Sequence, residues 1–180
     1  MRLEGNCRQI ELVRRSFADP GALTYCNMPP AHPFVVSDRV RWADVDFVRI
    51  MRFSAFTRLI EVAEQELMRA VAMPYTAIFD APAIYLPRRH LDIEYFAPVR
   101  LDDELSLVIF VSRVGDSSLT FTVDVRTATG WTLAATATMV VVCVDVETFA
   151  KQRLPDTIRD ALAPYTCSID VARAWTPPVM

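Results

Sequence analysis

A strand-like run ending in Asp-x-Asp, followed almost at once by a long helical pattern, constrains this chain more than any other feature. Phe34 to Val45 alternates loosely and is rich in β-branched and aromatic residues, so it reads as a strand, closing on Trp42-Ala43-Asp44-Val45-Asp46. From Ser54 to Met73, the side chains of Phe56, Leu59, Ile60, Ala63, Leu67, Ala70 and Val71 recur at helical spacing and share one face. Arg58, Glu61, Gln65 and Arg69 line the opposite face, and Val62 and Met68 flank that polar stripe. Ser54 is the expected N-cap, Phe53 the residue that staples onto the next turn, and Pro74 the stop. A wide apolar face of this kind needs a curved partner surface.

That surface is supplied by the rest of the chain, where the period changes to two. Leu91, Ile93 and Tyr95 alternate with His90, Asp92 and Glu94. Leu105, Leu107, Ile109 and Val111 form a second such run, and Leu119, Phe121, Val123 and Val125 a third. Trp131 to Val144 is a long strand, apolar on both faces toward its end. Arg100 to Asp103, Gly115-Asp116 and Thr129-Gly130 supply the turns. The strands are therefore sequential and antiparallel. Pro155 to Leu162 is a short helix with Pro155 at its first turn. One helix facing so much strand implies an α+β domain whose sheet curls around the helix. An acid at the strand-to-helix junction then sits at the mouth of that core.

Composition narrows the function classes. The chain of 180 residues is of one-domain size, and its 52% hydrophobic and 23% charged residues are those of a globular protein. A net charge of −3 weighs against nucleic acid as the main partner. Thr127 to Val144 carries no charge, but its threonines and Gly130 make it a turn and a buried strand rather than a membrane span. Cys7, Cys26, Cys143 and Cys167 lack metal-type spacing and read as free thiols of a reducing cytoplasm, and His32 and His90 are too few for a His-rich metal site. Glycine-rich nucleotide loops and the Gly-x-Ser-x-Gly elbow are absent, so no cofactor is expected. Residues 1–33 read as an N-terminal extension, with Met28 an alternative start, residues 34–163 as the domain, and residues 164–180 as a C-terminal tail.

The order of strand, helix and four antiparallel strands resembles the hotdog fold, specifically its 4-hydroxybenzoyl-CoA thioesterase-like branch. Three segments carry the resemblance: Arg39 to Asp46, Ile93 to Leu105 with its apolar strand, Pro98 turn and acidic re-entry, and Val144 to Thr148 followed by Leu154-Pro155-Asp156. The resemblance implies a curved sheet around one central helix, hydrolysis of a thioester on coenzyme A or an acyl-carrier protein, and a homodimer or tetramer of dimers. The long strand Trp131 to Val144 is a candidate for pairing between subunits. In that branch an Asp just after the first strand acts as nucleophile or as general base on water, and Asp46 holds the matching position. Glu61, on the helix, is the second candidate, because a related branch uses a helix carboxylate.

The chemistry asks for a carboxylate close to the thioester carbonyl and partly desolvated, with the N–H groups of a helix start facing the developing oxyanion. Phe53 and Phe56 flank the site in sequence, together with Phe47, Met51, Met73, Tyr75 and Phe79, and are candidates to line an acyl pocket. Arg88, Arg89 and His90 are candidates to hold the phosphates of coenzyme A. The chain departs from the family pattern: Arg49 stands where Gly is usual, and Arg52-Phe53-Ser54-Ala55 lacks the Asn or Tyr common just before the helix. An arginine there is expected not to copy a glycine's backbone freedom, and to pair either with Asp46, quenching it as a base, or with an anionic substrate group. Each candidate has a plainer alternative: Asp46 as a turn residue, Asp44 as a structural or surface acid, Glu61 paired with Arg58, the Arg88 cluster as a solvated strand end. At the level of the whole chain, the alternative is a hotdog protein that binds an acyl thioester without cleaving it, or that serves as an accessory subunit of a biosynthetic complex.

Overall fold

A computed structural model describes residues 31–175; Cys7, Cys26 and the alternative start at Met28 lie outside them. The strands are β1 (Phe34–Arg39), β2 (Ile84–Tyr85), β3 (Arg88–Tyr95), β4 (Glu104–Val114), β5 (Ser118–Thr127), β6 (Leu133–Val142) and β7 (Val144–Asp145), and the helices are α1 (Phe56–Ala70), α2 (Tyr75–Asp80), α3 (Asp156–Leu162) and α4 (Ile169–Ala174). Five strands form one antiparallel sheet in the order β1-β4-β5-β6-β3, while β2 and β7 pair apart from it. This is the hotdog architecture, with α1 packed on the inner face.

The period-two runs explain the packing. Leu105, Leu107, Ile109 and Val111 of β4, and Leu119, Phe121, Val123 and Val125 of β5, meet Leu59, Ile60, Ala63 and Leu67 of α1 in one buried core. Met68 joins this stripe and Ala70 leaves it, rotating the buried face slightly from the one read in the sequence. One charged residue lies in the stripe: Glu64 is 0% exposed.

Several boundaries differ from the sequence reading. The first strand ends at Arg39, and Trp42–Asp44 is a 3-10 turn, because Asp44 accepts the N–H of Arg41 and folds the backbone back. Asp44 and Asp46 therefore do not share a strand face. Ser54 does not cap α1; it lies within a 3-10 turn, Phe53–Ala55, that leads into the helix, and its carbonyl accepts the hydroxyl of Thr57. The helix stops before Pro74. Ala72 takes a left-handed φ of 58° and the Met73 N–H reaches the Met68 carbonyl at 2.8 Å, a closure that usually uses Gly. Pro74 instead precedes α2, as its N-cap. Strand β6 is flanked on both sides, by β5 and β3, so Trp131 to Val144 has no free edge for pairing between subunits. Residues 163–175 add a 3-10 turn and α4. Cys167 donates its N–H to Val111, and Arg173 approaches Asp124 and Thr136 of the sheet.

One ion-pair network ties β1, the turn after it and α1 together. Arg58 of α1 donates Nη1 to Asp38 at 2.6 Å and forks Nε and Nη2 onto the two oxygens of Asp44. Glu61 is not its partner, contrary to the sequence expectation: two carboxylates from preceding segments take the guanidinium. Burial opposes charge on Asp38 and Asp44, but the hydrogen bonds and field of Arg58, with backbone N–H groups of Arg39 and Arg41, hold both below the ordinary carboxylate range. The same two acids raise the Arg58 pKa against its own burial.

Lowered acid pKa values contribute stability that is present above the ordinary carboxylate range and is lost as pH falls through their folded values. Replacing Arg58 by Met is expected to cost roughly 3 kcal/mol in denaturant unfolding at neutral pH, by leaving the buried Asp44 and the largely covered Asp38 without their cation. The difference from wild type should shrink as pH falls below the ordinary carboxylate range. A difference that stays constant with pH would remove the network from the account.

Candidate active site

The backbone between the 3-10 turn and α1 forms a small hairpin. Val45 bridges Met51, the Asp46 N–H reaches the Ile50 carbonyl at 3.1 Å, and the Arg49 N–H reaches the Asp46 carbonyl at 3.0 Å. Asp46 opens the turn, and its Oδ1 accepts the Val48 N–H at 2.9 Å. Closing this turn requires a left-handed residue, and Arg49 supplies it with φ of 65°. The expectation that arginine would not reproduce the glycine conformation is thus corrected: hairpin closure imposes that conformation on Arg49. The side chain of Arg49 is exposed and makes no ion pair with Asp46.

The hairpin is held on three sides. The Arg52 N–H donates to the Asp44 carbonyl, the Met51 N–H to the Val99 carbonyl, and Ile50 bridges Arg100. Asp46 is thereby placed, half-buried, on the wall of a cavity of about 640 Å³ whose other walls include Met51, Phe53, Phe56, Tyr95 and Phe96. Phe56 is buried and meets Tyr95 edge-on with ring centroids 5.1 Å apart, while the Tyr95 hydroxyl donates to the Phe53 carbonyl at 3.2 Å. Phe47 and Phe53 stand 95% and 76% exposed beside the cavity. The N–H groups of Phe53 and Ser54 open the 3-10 turn, where no preceding helical carbonyl serves them. A carboxylate, an apolar wall and free N–H donors thus meet in one place, which suits attack on a polarised carbonyl.

Of the residues singled out in the sequence, Asp46, Phe53 and Phe56 come together. Glu61 lies exposed on α1 and lines neither this cavity nor the groove described next. Arg89 and His90 stand exposed on β3 and also line neither; their side chains have no hydrogen-bond or ion-pair partner among the described residues.

Arg88 lies elsewhere. It pairs with Glu64, which also accepts the Tyr75 hydroxyl, and its guanidinium sits 5.9 Å from the centre of the Tyr75 ring. This cluster borders a second groove, of about 750 Å³, lined by Tyr75, Phe79, Tyr85, Phe149, Arg69 and Arg88. Burial pushes the Glu64 carboxyl up; Tyr75 and Arg88 pull it only partly back, and neighbouring Glu61 adds to the rise. Burial and Glu64 together raise the Tyr75 hydroxyl. The sequence reading passed over Glu64. The available signal was a charged residue at an apolar-stripe position, four after Ile60 and three before Leu67.

The family model described as thioesterase-like superfamily matches residues 40–162. Acyl-CoA thioester hydrolase YbgC of Escherichia coli is 29% identical over 120 residues, spanning 67% of this chain and 88% of the relative. A 1,4-dihydroxy-2-naphthoyl-CoA hydrolase of Nostoc punctiforme is 25% identical over 125 residues, spanning 69% and 83%. Among solved structures, a 1,4-dihydroxy-2-naphthoyl-CoA thioesterase from Synechocystis superposes with a TM-score of 0.68 at 21% identity, covering 73% of this chain and 96% of that one. A Staphylococcus aureus protein solved in complex with CoA superposes with a TM-score of 0.71 at 14% identity, covering 85% and 94%. At such identities the two structures establish the fold alone.

Two substitutions probe the local geometry. Arg49→Gly should stabilise the protein by about 1 kcal/mol, because glycine enters the left-handed region without the Cβ penalty. A loss of stability would mean that the Arg49 side chain holds the hairpin. For Glu64, the raised pKa means that stability declines as pH rises from the ordinary carboxylate value through the folded one. Glu64→Gln should flatten that limb of the stability profile, and an unchanged limb would exclude Glu64 as its source.

Proposed function

This chain belongs to the thioesterase-like superfamily, and on that premise we propose that it hydrolyses acyl-CoA thioesters with Asp46 as the essential carboxylate. The observation that carries this reading is the position of Asp46: half-buried on the wall of an aromatic cavity, beside the unpaired N–H groups that open the turn into α1. A non-catalytic role would be favoured by an Asp46 neutralised by Arg49, and the two form no ion pair.

In this mechanism the Asp46 carboxylate takes a proton from water as the water oxygen bonds to the thioester carbon. The carbonyl oxygen becomes an oxyanion that accepts hydrogen bonds from the Phe53 and Ser54 N–H groups. Collapse of the intermediate breaks the carbon–sulfur bond, and the thiolate takes up the proton that Asp46 holds. The products are a carboxylic acid and the free thiol of the carrier. Phe53 and Phe56 line the acyl side of the cavity. The exposed Arg89 and His90, free of other partners among the described residues, supply donors for the phosphates of coenzyme A. The ion pair of Arg88 with Glu64 leaves it less suited to that role than the sequence suggested.

The working unit in this reading is residues 34–163 assembled as a homodimer through β3. That strand is an edge of the sheet with nearly every residue exposed, Leu91 and Tyr95 among them. Its outer side carries N–H and C=O groups that a second copy can satisfy. No helix among the described residues is long and apolar enough to cross a membrane, in keeping with a substrate met in the cytoplasm.

The test is release of free thiol from a panel of acyl-CoA substrates by wild type and by Asp46→Asn. The variant should lose at least about a hundredfold in kcat, since removing a general base costs factors of that order. Full turnover in the variant would move the chemistry away from Asp46, and acyl-CoA binding without turnover in the wild type would favour a binding protein.

A further inference from the structure

Tyr95, the last residue of β3, donates its hydroxyl to the Phe53 carbonyl at 3.2 Å. The peptide that carries this carbonyl also carries the Ser54 N–H. Among the described residues the one cis peptide is Ala81–Pro82, so the Phe53–Ser54 peptide is trans and planar. Its C=O and N–H therefore point in opposite directions. A donor that holds the carbonyl on one side fixes where the N–H aims on the other. The same hydrogen bond polarises the amide and makes its N–H a stronger donor.

The neighbouring peptides of this turn are held from within. The Arg52 carbonyl accepts the Ala55 N–H at 2.9 Å, and the Ser54 carbonyl accepts the Thr57 hydroxyl at 2.7 Å. The Tyr95 hydroxyl, by contrast, reaches the turn from the sheet. Tyr95 is itself well fixed. Its backbone pairs with Ala135 of β6, and the N–H groups of Phe96 and Ala97 both donate to the Ala134 carbonyl. Its ring packs edge-on against Phe56, the first residue of α1. Partial burial raises its pKa, so the hydroxyl keeps its proton through the neutral range.

We propose that Tyr95 is a positioning residue for thioester hydrolysis, holding the Phe53 carbonyl so that the Ser54 N–H faces the developing oxyanion, an assignment that rests on the thioesterase reading above. Its effect grows along the reaction. As the substrate oxygen gains charge, its bond to the Ser54 N–H strengthens, the amide polarises further, and the Tyr95 bond tightens with it. A length of 3.2 Å is long for a hydroxyl donor and leaves room for that tightening. An interaction that strengthens in the transition state raises kcat rather than substrate affinity.

Tyr95→Phe keeps the ring against Phe56 and removes the hydroxyl alone. With hexanoyl-CoA as the probe, its kcat should fall about fivefold to tenfold at an unchanged KM, the size expected for one hydrogen bond. The second readout needs no turnover. The ketone analogue of hexanoyl-CoA, with a methylene between carbonyl and sulfur and an isotope label on the carbonyl carbon, is bound to each protein and its infrared spectrum recorded. On the wild type the carbonyl stretch should lie below its frequency in water, and on Tyr95→Phe it should return part of the way. An unchanged kcat would overturn the proposal. A raised KM at full kcat would do so too, by making Tyr95 a binding surface. A fall in kcat with the stretch unmoved would reduce Tyr95 to a structural contact and overturn it equally. Failure of the underlying reading is separate: full turnover by Asp46→Asn would remove Asp46 from the chemistry and leave the effect of Tyr95 on the stretch in place.

Discussion

The Arg58 guanidinium is the interaction on which the rest of the site depends. A helix packed in a curved sheet has its depth set by apolar contacts, but those contacts do not fix the segment that enters it. Here the entering segment is anchored by charge: Arg58 binds Asp38 on β1 and forks onto Asp44 in the turn after it. Asp44 in turn accepts the Arg41 N–H through its side chain and the Arg52 N–H through its carbonyl. The hairpin of residues 45–51 thus hangs between two fixed points, and Asp46 at its tip has one carboxylate oxygen held by the Val48 N–H. A bidentate arginine suits this role better than a lysine, because its planar fork fixes direction as well as distance.

The site combines rigid support with an unfinished surface. Phe47 and Phe53 project beside the Asp46 cavity, Phe79 and Phe149 beside the aromatic groove, and the exposed strand β3 lies between the two. Exposed aromatic rings at both ends of an unpaired sheet edge are a costly arrangement for an isolated chain. The homodimer proposed through β3 would cover both. The left-handed arginine in the hairpin is a smaller strain of the same kind, located where the backbone must turn sharply to present a carboxylate.

Much of the fold was legible in the sequence because its signals are periodic. The runs from Leu91, Leu105 and Leu119 alternate cleanly, and the Phe56 to Leu67 stripe marks one helix, so a curved sheet around that helix follows from burial alone. The local geometry was less legible because it depends on partners distant in sequence. The first strand stops at Arg39, since Asp44 finds the Arg41 N–H and Arg58, fourteen residues on. Glu61 looked like the helix carboxylate of interest because spacing put it on a polar face, yet the chemically unusual acid is Glu64, which spacing put among apolar residues. Its partners, Tyr75 and Arg88, lie beyond the end of α1, so no local pattern reveals them. Asp46 was marked by resemblance rather than by periodicity, and the hairpin around it shows why an aspartate suits that corner as a turn residue as well.

The most direct test of the account is the structure of the protein bound to a non-hydrolysable acyl-CoA analogue in which the thioester sulfur is separated from the carbonyl by a methylene group. The account expects the carbonyl carbon within about 3.5 Å of the free Asp46 oxygen or of a water that it holds, with the carbonyl oxygen toward the Phe53 and Ser54 N–H groups. A carbonyl bound beside Glu61 or Glu64, with the Asp46 cavity unoccupied, would contradict it.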